Sequence, residues 1–270
     1  MFFLQIVKYR WENWEPFFTV ITQDQMNKIR LLEQEISIRT GSKHCIGFFH
    51  EGRHFPCPDN KAITNGWYCN SCKAKDDFFL CIKCDGNECI NPKQRDCCKA
   101  NNYYVYLAAF DSVLKVGISY EHRLLERLVE QGADFGAKIA FVKDGKKVRN
   151  IEQNIKTTLG AVDRMGGDEK HATLFANPNN SAKIIYRAIL KLRNNGLDCL
   201  INPEIYDMRK YYKLSNVPVK PDKFEITNGM DIKGRIIAAK GNMMVLKNSD
   251  NFFLLNAHRM IGFDIENLKP

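Results

Sequence analysis

The sequence lacks any run that approaches the ~18 consecutive apolar residues needed to cross a bilayer. Its first fourteen residues also lack the basic region, apolar core and small-residue cleavage site of a secretory signal peptide, because Lys8, Arg10 and Glu12 interrupt the apolar residues. No internal repeat or low-complexity segment is present. These absences predict a cytoplasmic protein without a membrane partner.

Cysteine is nearly absent outside one segment, because all but one of the 10 cysteines lie between Cys45 and Cys98. Residues 44–99 also contain few apolar residues and many turn formers, so we expect this segment to need a metal ion to fold. The exception, Cys199, stands alone in an apolar stretch and is predicted to be an inert core residue.

The cysteine spacing predicts two structural zinc sites. Cys69-Asn-Ser-Cys72 and Cys81-Ile-Lys-Cys84 are Cys-x-x-Cys pairs, in which two thiolates point at one ion from a tight turn. A sequential partition completes each site with neighbouring cysteines. The predicted ligands are Cys45, Cys57, Cys69 and Cys72 for the first ion, and Cys81, Cys84, Cys89 and Cys98 for the second.

Some ligand choices stay open in the sequence. His44, His50 or His54 could replace Cys45 in the first site, and Cys97 could replace Cys98 in the second. A disulfide framework is the competing hypothesis, but it requires an oxidising compartment and is typical of short secreted chains. A redox-active or iron-sulfur site is the other alternative.

Length and composition favour several packed modules. The chain has 270 residues, of which 44% are hydrophobic and 11% aromatic, so it can form cores in two or three modules. The formal charge of +9 suggests a polyanionic partner, although an excess of lysine also keeps proteins soluble.

Changes in composition and in the periodicity of apolar residues along the chain predict an α+β protein with four segments. We expect an N-terminal β segment (1–43), a zinc-binding module (44–100), an α/β domain (101–205), and a basic linker with a small barrel-like C-terminal β module (206–270).

The α/β domain is predicted in more detail. Residues 103–118 read as a β-hairpin, which is followed by a helix capped by Gly132 and a strand from Lys138 to Lys143. A second helix precedes Gly160, and a third is expected over residues 181–195 with Ser181 as its N-cap.

Four residues of this domain resemble the core of the GIY-YIG nuclease superfamily. The matching residues are Tyr106, which ends Tyr104-Val105-Tyr106, Gly117 in Lys115-Val116-Gly117, then Arg127 and Glu152. The resemblance implies a three-stranded antiparallel sheet flanked by helices, with Mg²⁺ or Mn²⁺ bound by Glu152 and phosphate contacted by Tyr106 and Arg127.

Lys115 departs from that resemblance, because the superfamily has its second tyrosine at this position. A tyrosine hydroxyl can help to activate water, whereas lysine supplies only positive charge unless burial lowers its pKa. We therefore expect this core to bind phosphate rather than to hydrolyse phosphodiesters.

Most of residues 45–265 also resembles an uncharacterised, largely archaeal and bacterial family of zinc-bearing proteins with a GIY-YIG-like centre. The resemblance lies in the cysteine cluster, in residues 105–108 and 114–118, in Arg127 with residues 131–133, and in a terminal set of residues. That terminal set is Gly234, Lys240-Gly241, Leu255-Asn256 and Gly262. The resemblance implies an architecture but no settled function.

Each candidate residue also has a purely structural interpretation. Tyr106 could be a cross-strand packing residue, and Gly117 could mark a bulge or a close backbone approach. Arg127 could pair with Glu130 on the helix surface, and Glu152 could pair with Lys156.

Two basic patches indicate a nucleic-acid partner, and RNA fits better than DNA because no element resembles a major-groove recognition helix. The first patch contains Lys138, Lys143, Lys146, Lys147 and Arg149, and the second contains Arg209, Lys210, Tyr211 and Tyr212. The favoured function is binding to structured RNA, such as tRNA or a ribosomal surface. The alternatives are a metal-dependent nuclease and a zinc-stabilised adaptor for protein interactions.

Overall fold

The computed structural model describes residues 4–22, 25–197 and 200–269. The prediction for Cys199 lies outside these residues. The protein is a mixed α+β structure rich in strands, and it divides into two compact units. Unit 1 comprises residues 1–79 and 213–270, and unit 2 comprises residues 80–212. In the described part of the chain, no helix has the length and apolar character needed to cross a membrane.

Unit 1 is built on a nine-stranded sheet with the order β11-β14-β13-β12-β4-β15-β1-β2-β3. Its first four strands are β1 (Leu4–Glu12), β2 (Glu15–Thr22), β3 (Gln25–Arg30) and β4 (Glu35–Lys43). The other five are β11 (Asp222–Phe224), β12 (Asp231–Lys240), β13 (Met243–Asn248), β14 (Asn251–Asn256) and β15 (Phe263–Lys269).

The sheet joins the two ends of the chain. In β4 the alternating residues Ile36, Ile38 and Thr40 are buried, as expected for a strand with one face in a core. This strand pairs with β12 on one side and β15 on the other, both in antiparallel register. The strands expected in segments 1–43 and 206–270 are therefore present, but they form one sheet rather than two separate modules.

The cysteine-rich segment is divided between the units. Residues 44–79 belong to unit 1 and contain a hairpin of two short strands, β5 (Phe48–His50) and β6 (Arg53–Phe55), and the helix α1 (Asn70–Lys75). Residues 80–100 belong to unit 2. The segment predicted as one zinc module therefore contributes to two units.

Unit 2 contains a four-stranded sheet with the order β10-β9-β7-β8. Its strands are β7 (Asn102–Phe110), β8 (Val113–Tyr120), β9 (Phe135–Lys143) and β10 (Leu200–Asp207). Its helices are α2 (Arg95–Ala100), α3 (Leu124–Gln131), α4 (Gly145–Leu159), α5 (Gly167–Ala172) and α6 (Pro178–Asn194), and α7 (Ala257–Met260) belongs to unit 1.

The predicted hairpin and helix ends are confirmed. Strands β7 and β8 pair from Tyr103 and Tyr120 to Phe110 and Val113, and Gly132 and Gly160 adopt φ values of 78° and 66° at the ends of α3 and α4. Two expectations need correction. The sheet has a fourth strand, β10, at its edge next to β9, and α6 begins at Pro178 with Asn177 as its N-cap.

Ser181 is buried in the first turn of α6 and does not cap it. Its hydroxyl donates to the Asp134 carboxylate at 2.8 Å and accepts from the Asp111 backbone N–H at 2.7 Å. A buried serine between two such partners satisfies polar groups of neighbouring loops, and the N-cap sequence preference cannot distinguish the two roles.

The unit 2 core lies on one face of its sheet. Alternate β7 residues, Val105, Leu107 and Ala109, pack with Val148 and Ile155 of α4. Helix α6 adds Ile185 and Leu192 to the same cluster. The intervening β7 residues, including Tyr104 and Tyr106, therefore point to the opposite face, which we call the polar face.

Candidate metal centre and polar site

The first four cysteines come together from three pieces of unit 1. Cys45 follows β4, Cys57 follows β6, and Cys69 and Cys72 lie at the start of α1. A helix start brings residues i and i+3 to one side, so both thiols of this pair point the same way. Cys45 and Cys72 are buried, while Cys57 and Cys69 are half-buried.

The geometry of this cluster fits a tetrahedral metal ion. The four Sγ atoms all lie within 4.8 Å of one another, and those of Cys57 and Cys69 are 3.9 Å apart. Four thiolates at ~2.3 Å from zinc would have Sγ atoms about 3.8 Å apart. A disulfide would bring two sulfurs to ~2.05 Å, and the described cysteines form none. The donor set and spacing are those of a closed structural zinc site.

The nearby histidines have other partners, which resolves the choice between them and Cys45. His44 Nδ1 lies 2.8 Å from the Asp264 carboxylate, and His50 Nδ1 lies 2.9 Å from Asp77. His54 Nε2 lies 2.5 Å from the Ile46 carbonyl oxygen. Cys45 is the fourth member of the cluster, as the favoured partition predicts.

The other cysteines do not form an equally close group among the residues that the structure describes. Burial raises the pKa of the Cys81 thiol, and the nearby thiolates of Cys98, Cys84 and Cys89 raise it further. Cys98 lies against the first residue of α4, because a Cβ at Gly145 would be 2.5 Å from its Sγ. The neighbouring side chain of Cys97 is exposed.

A second candidate site lies on unit 2, at Tyr106. Its phenol is buried directly over Gly117, the opposite residue on β8, so that a Cβ at Gly117 would lie 2.5 Å from the Tyr106 hydroxyl. Gly117 therefore leaves space for the ring, which supports its interpretation as a close-approach residue. Burial, with help from Glu152 and Glu130, raises the pKa of Tyr106, while Arg127 opposes this shift.

Lys115 lies on β8 and is buried, which is rare for a lysine side chain. Its Nζ donates to the backbone carbonyl of Asp163, in the segment that pairs alongside β8. Burial, together with the positive charge of Arg127, lowers the pKa of Lys115 to about 8. The Glu152 and Asp163 carboxylates act in the opposite direction.

Arg127 lies on α3 with 43% of its side chain exposed. It pairs with Glu130 at 3.2 Å, as the spacing of the two residues suggests, and Glu130 also accepts from Arg123 at 2.9 Å. The guanidinium also interacts electrostatically with Tyr106 and Lys115. Arg127 is thus both a surface ion-pair member and a neighbour of the buried polar residues.

Glu152 is buried on α4 and pairs with Arg149 at 2.9 Å. Lys156, the partner that helical spacing suggests, pairs with Asp163 instead. Burial raises the pKa of Glu152, while Arg149 and Lys115 counteract the effect. The structure therefore brings Tyr106, Lys115, Arg127 and Glu152 into one interacting group, which we call the polar site. Arg149 and Asp163 also belong to it, and no sequence signal distinguished Asp163 as a member.

The first basic patch is only partly solvated. Lys143 and Lys147 are exposed, and Lys146 and Arg149 are half-buried. Lys138 pairs with Glu204 at 2.8 Å, with 20% of its side chain exposed.

The second basic patch needs one correction. Tyr212 is fully buried, and its hydroxyl donates to the Ala133 carbonyl at 2.7 Å, so its ring is a core residue rather than a stacking surface. Arg209 pairs with Asp207 at 2.5 Å and lies over the Phe135 ring. Lys210 lies over the Tyr211 ring, with its Nζ 5.0 Å from the ring centre.

Comparison with known proteins identifies the family. The sequence model of a family described as "Protein of unknown function (DUF2797)" matches residues 32–265. The chain belongs to this family. The DUF2797 match contains both cysteine groups and every residue of the polar site. A search of curated proteins finds no match, and a search of solved structures also finds none.

Proposed function

We propose that this protein binds structured RNA by holding backbone phosphate in the site formed by Tyr106, Lys115 and Arg127. The observation that carries this proposal is that Tyr106 and Arg127 are joined by a side-chain hydrogen bond beside Lys115, whose pKa is lowered by burial and by the charge of Arg127. Glu130 pairs with Arg127 and Glu152 lies near Lys115, so the protein's own carboxylates offset part of the repulsion between these two cations. A phosphate group would relieve this repulsion and accept hydrogen bonds from both residues.

The surroundings support a polyanion rather than a small free anion. Lys143 and Lys147 are exposed on the neighbouring end of β9 and the start of α4. An extended phosphate backbone could contact these residues as well as the central site. The order of Tyr106, Gly117, Arg127 and Glu152 along the elements also supports the proposed GIY-YIG-like origin of this core.

Two zinc ions are part of the proposal. The first has the ligands Cys45, Cys57, Cys69 and Cys72, whose arrangement fits it. For the second we propose Cys81, Cys84, Cys89 and Cys98. The thiols of Cys98, Cys84 and Cys89 lie close enough to Cys81 to raise its pKa. Cys98 rather than Cys97 is chosen because Cys98 lies against Gly145 whereas Cys97 is exposed. Both ions would be structural, since four thiolates leave no open position for a substrate oxygen.

A metal-dependent nuclease remains the second candidate, and one observation favours it. With its pKa lowered to about 8, Lys115 is neutral in a fraction of the molecules near pH 7. Its neutral amine can then act as the base that takes a proton from an attacking water. Glu152 would then have to bind Mg²⁺ or Mn²⁺, which requires it to release Arg149. The ion pair with Arg149 is why we favour binding without hydrolysis.

RNA affinity should depend on pH through Lys115. Because its pKa is about 8, Lys115 is cationic below that pH and loses its charge above it. We expect affinity to fall as the pH rises from about 7 to 9, whereas Lys115→Arg should bind with a nearly flat profile, since arginine stays charged. Fluorescence anisotropy of labelled RNA at constant salt measures both profiles. A wild-type profile as flat as that of the variant would contradict the phosphate role of Lys115.

A further inference from the structure

The polar face of the unit 2 sheet presents a line of cations and a ring along β9. Strict alternation would place Lys138 and Phe141 on opposite faces, because they are three residues apart. The register with β7 shifts by one residue, so that Tyr106 pairs with Lys138 while Val105 pairs with Ala140. This bulge places Lys138, Phe141 and Lys143 on the same face of the sheet.

Phe141 and Tyr104 form a ring pair on this face, which we call the ring pair hereafter. The two residues are direct cross-strand partners, with ring centres 5.1 Å apart and planes tilted by 50°. Tyr104 is half-buried and has the Lys138 Nζ 5.5 Å from its ring centre. Phe141 is 39% exposed, which leaves part of a large apolar ring in water.

The charges around the ring pair are those that a nucleotide would need. Lys143 is exposed two residues beyond Phe141 on the same face, while Lys138, on the other side of the ring pair, is paired with Glu204. Rings that alternate with cations bind single strands by stacking bases on the rings while the cations follow the phosphates. A nucleic acid strand supplies both groups that this surface can bind, a base for the exposed ring of Phe141 and a phosphate for Lys143.

The ring pair is also continuous with the site proposed for phosphate. Tyr104 and Tyr106 share the polar face, and Lys115 faces Ala108, two residues beyond Tyr106, so about 13 Å of β7 separates Tyr104 from the level of Lys115. A nucleic acid strand spans this distance with a few nucleotides. One strand can therefore contact both places.

We propose that Phe141, supported by Tyr104, stacks an unpaired base of a single-stranded segment that, a few nucleotides further along, places a phosphate in the Lys115 and Arg127 site. This inference rests on the proposed function and specifies its ligand: the RNA has an unpaired nucleotide where the protein contacts it. Stacking on a phenylalanine ring discriminates little between bases, so the contact tolerates different sequences.

The test uses the full-length protein and two single strands of about ten nucleotides. One RNA strand contains 2-aminopurine, whose fluorescence is quenched by stacking, and the other has the same backbone with abasic nucleotides. Phe141→Leu removes the ring but keeps an apolar side chain. Tyr186→Leu is the matched control, because Tyr186 is 60% exposed on α6, which packs on the opposite face of the sheet.

The wild type should bind the base-containing strand more tightly than the abasic strand. Phe141→Leu should weaken binding of the base-containing strand roughly 10-fold and leave binding of the abasic strand unchanged. Tyr186→Leu should leave both affinities and the fluorescence unchanged. The same titration with DNA identifies which sugar is accepted.

Each failure is distinguishable. If the wild type binds both strands equally, or if Phe141→Leu changes nothing, the ring pair is only a cross-strand packing pair and the base-stacking proposal is overturned, while phosphate binding stands. If the wild type binds neither strand, the stacking proposal is overturned, and binding of structured RNA by the same protein then decides the proposed function separately: loss of that binding as well overturns both.

Discussion

Cys72→Ser should lose one zinc ion per chain and loosen the fold of residues 44–79. Cys72 is fully buried among the three other thiols of its cluster, and residues around it have little apolar core of their own. Structural zinc contributes ~10–16 kcal/mol of apparent binding free energy to small domains, so loss of one thiolate removes much of what stabilises this segment. Elemental analysis measures the zinc, and limited proteolysis locates the loosened segment.

The matched control for this variant is Cys97→Ser. Cys97 is exposed, and neither proposed zinc site includes it, so this variant should keep two zinc ions and the wild-type pattern of proteolysis. Loss of zinc from Cys97→Ser would contradict the choice of Cys98 as a ligand. A Cys72→Ser protein with undiminished zinc would contradict the first metal centre itself.

Arg127→Ala should weaken the binding of structured RNA by roughly 10- to 100-fold, the usual effect of removing a hydrogen-bonded charge from a phosphate contact. Arg127 has this effect because its guanidinium reaches Tyr106 and Lys115 in addition to its ion pair with Glu130. Competition binding at one fixed salt concentration measures the change, since affinity for nucleic acid depends strongly on salt.

Arg123→Ala is the matched control for Arg127→Ala. Both arginines pair with Glu130, and both variants change the net charge equally. Arg123→Ala should therefore alter RNA affinity no more than about threefold, as expected for one distant charge. Equal losses in the two variants would show that general charge, rather than the polar site, determines binding.

The sequence predicted the parts of this protein that depend on local rules. The Cys69 and Cys72 pair lies at a helix start as its spacing requires, and glycines end α3 and α4 where predicted. The group of Tyr106, Lys115, Arg127 and Glu152 was predicted through a family resemblance, and the structure shows that these side chains interact.

The parts that the sequence did not predict depend on long-range pairing. The insertion of β4 between β12 and β15 joins residues about 200 positions apart, which no local pattern encodes. The bulge that places Phe141 and Lys138 on one face is likewise a property of the register with β7. Tyr212 shows the same limit, because only the folded structure reveals that its ring is enclosed.

The most direct test of the central claim is a comparison of wild type and Glu152→Gln with labelled structured RNA, in chelator and in Mn²⁺, measuring both affinity and strand cleavage. Glutamine keeps the shape of the buried side chain but removes its negative charge beside Lys115. The account predicts that RNA stays intact with both proteins and that Glu152→Gln binds it as tightly as the wild type or more tightly. Cleavage by the wild type in Mn²⁺ that disappears in Glu152→Gln would contradict binding without hydrolysis and establish the nuclease.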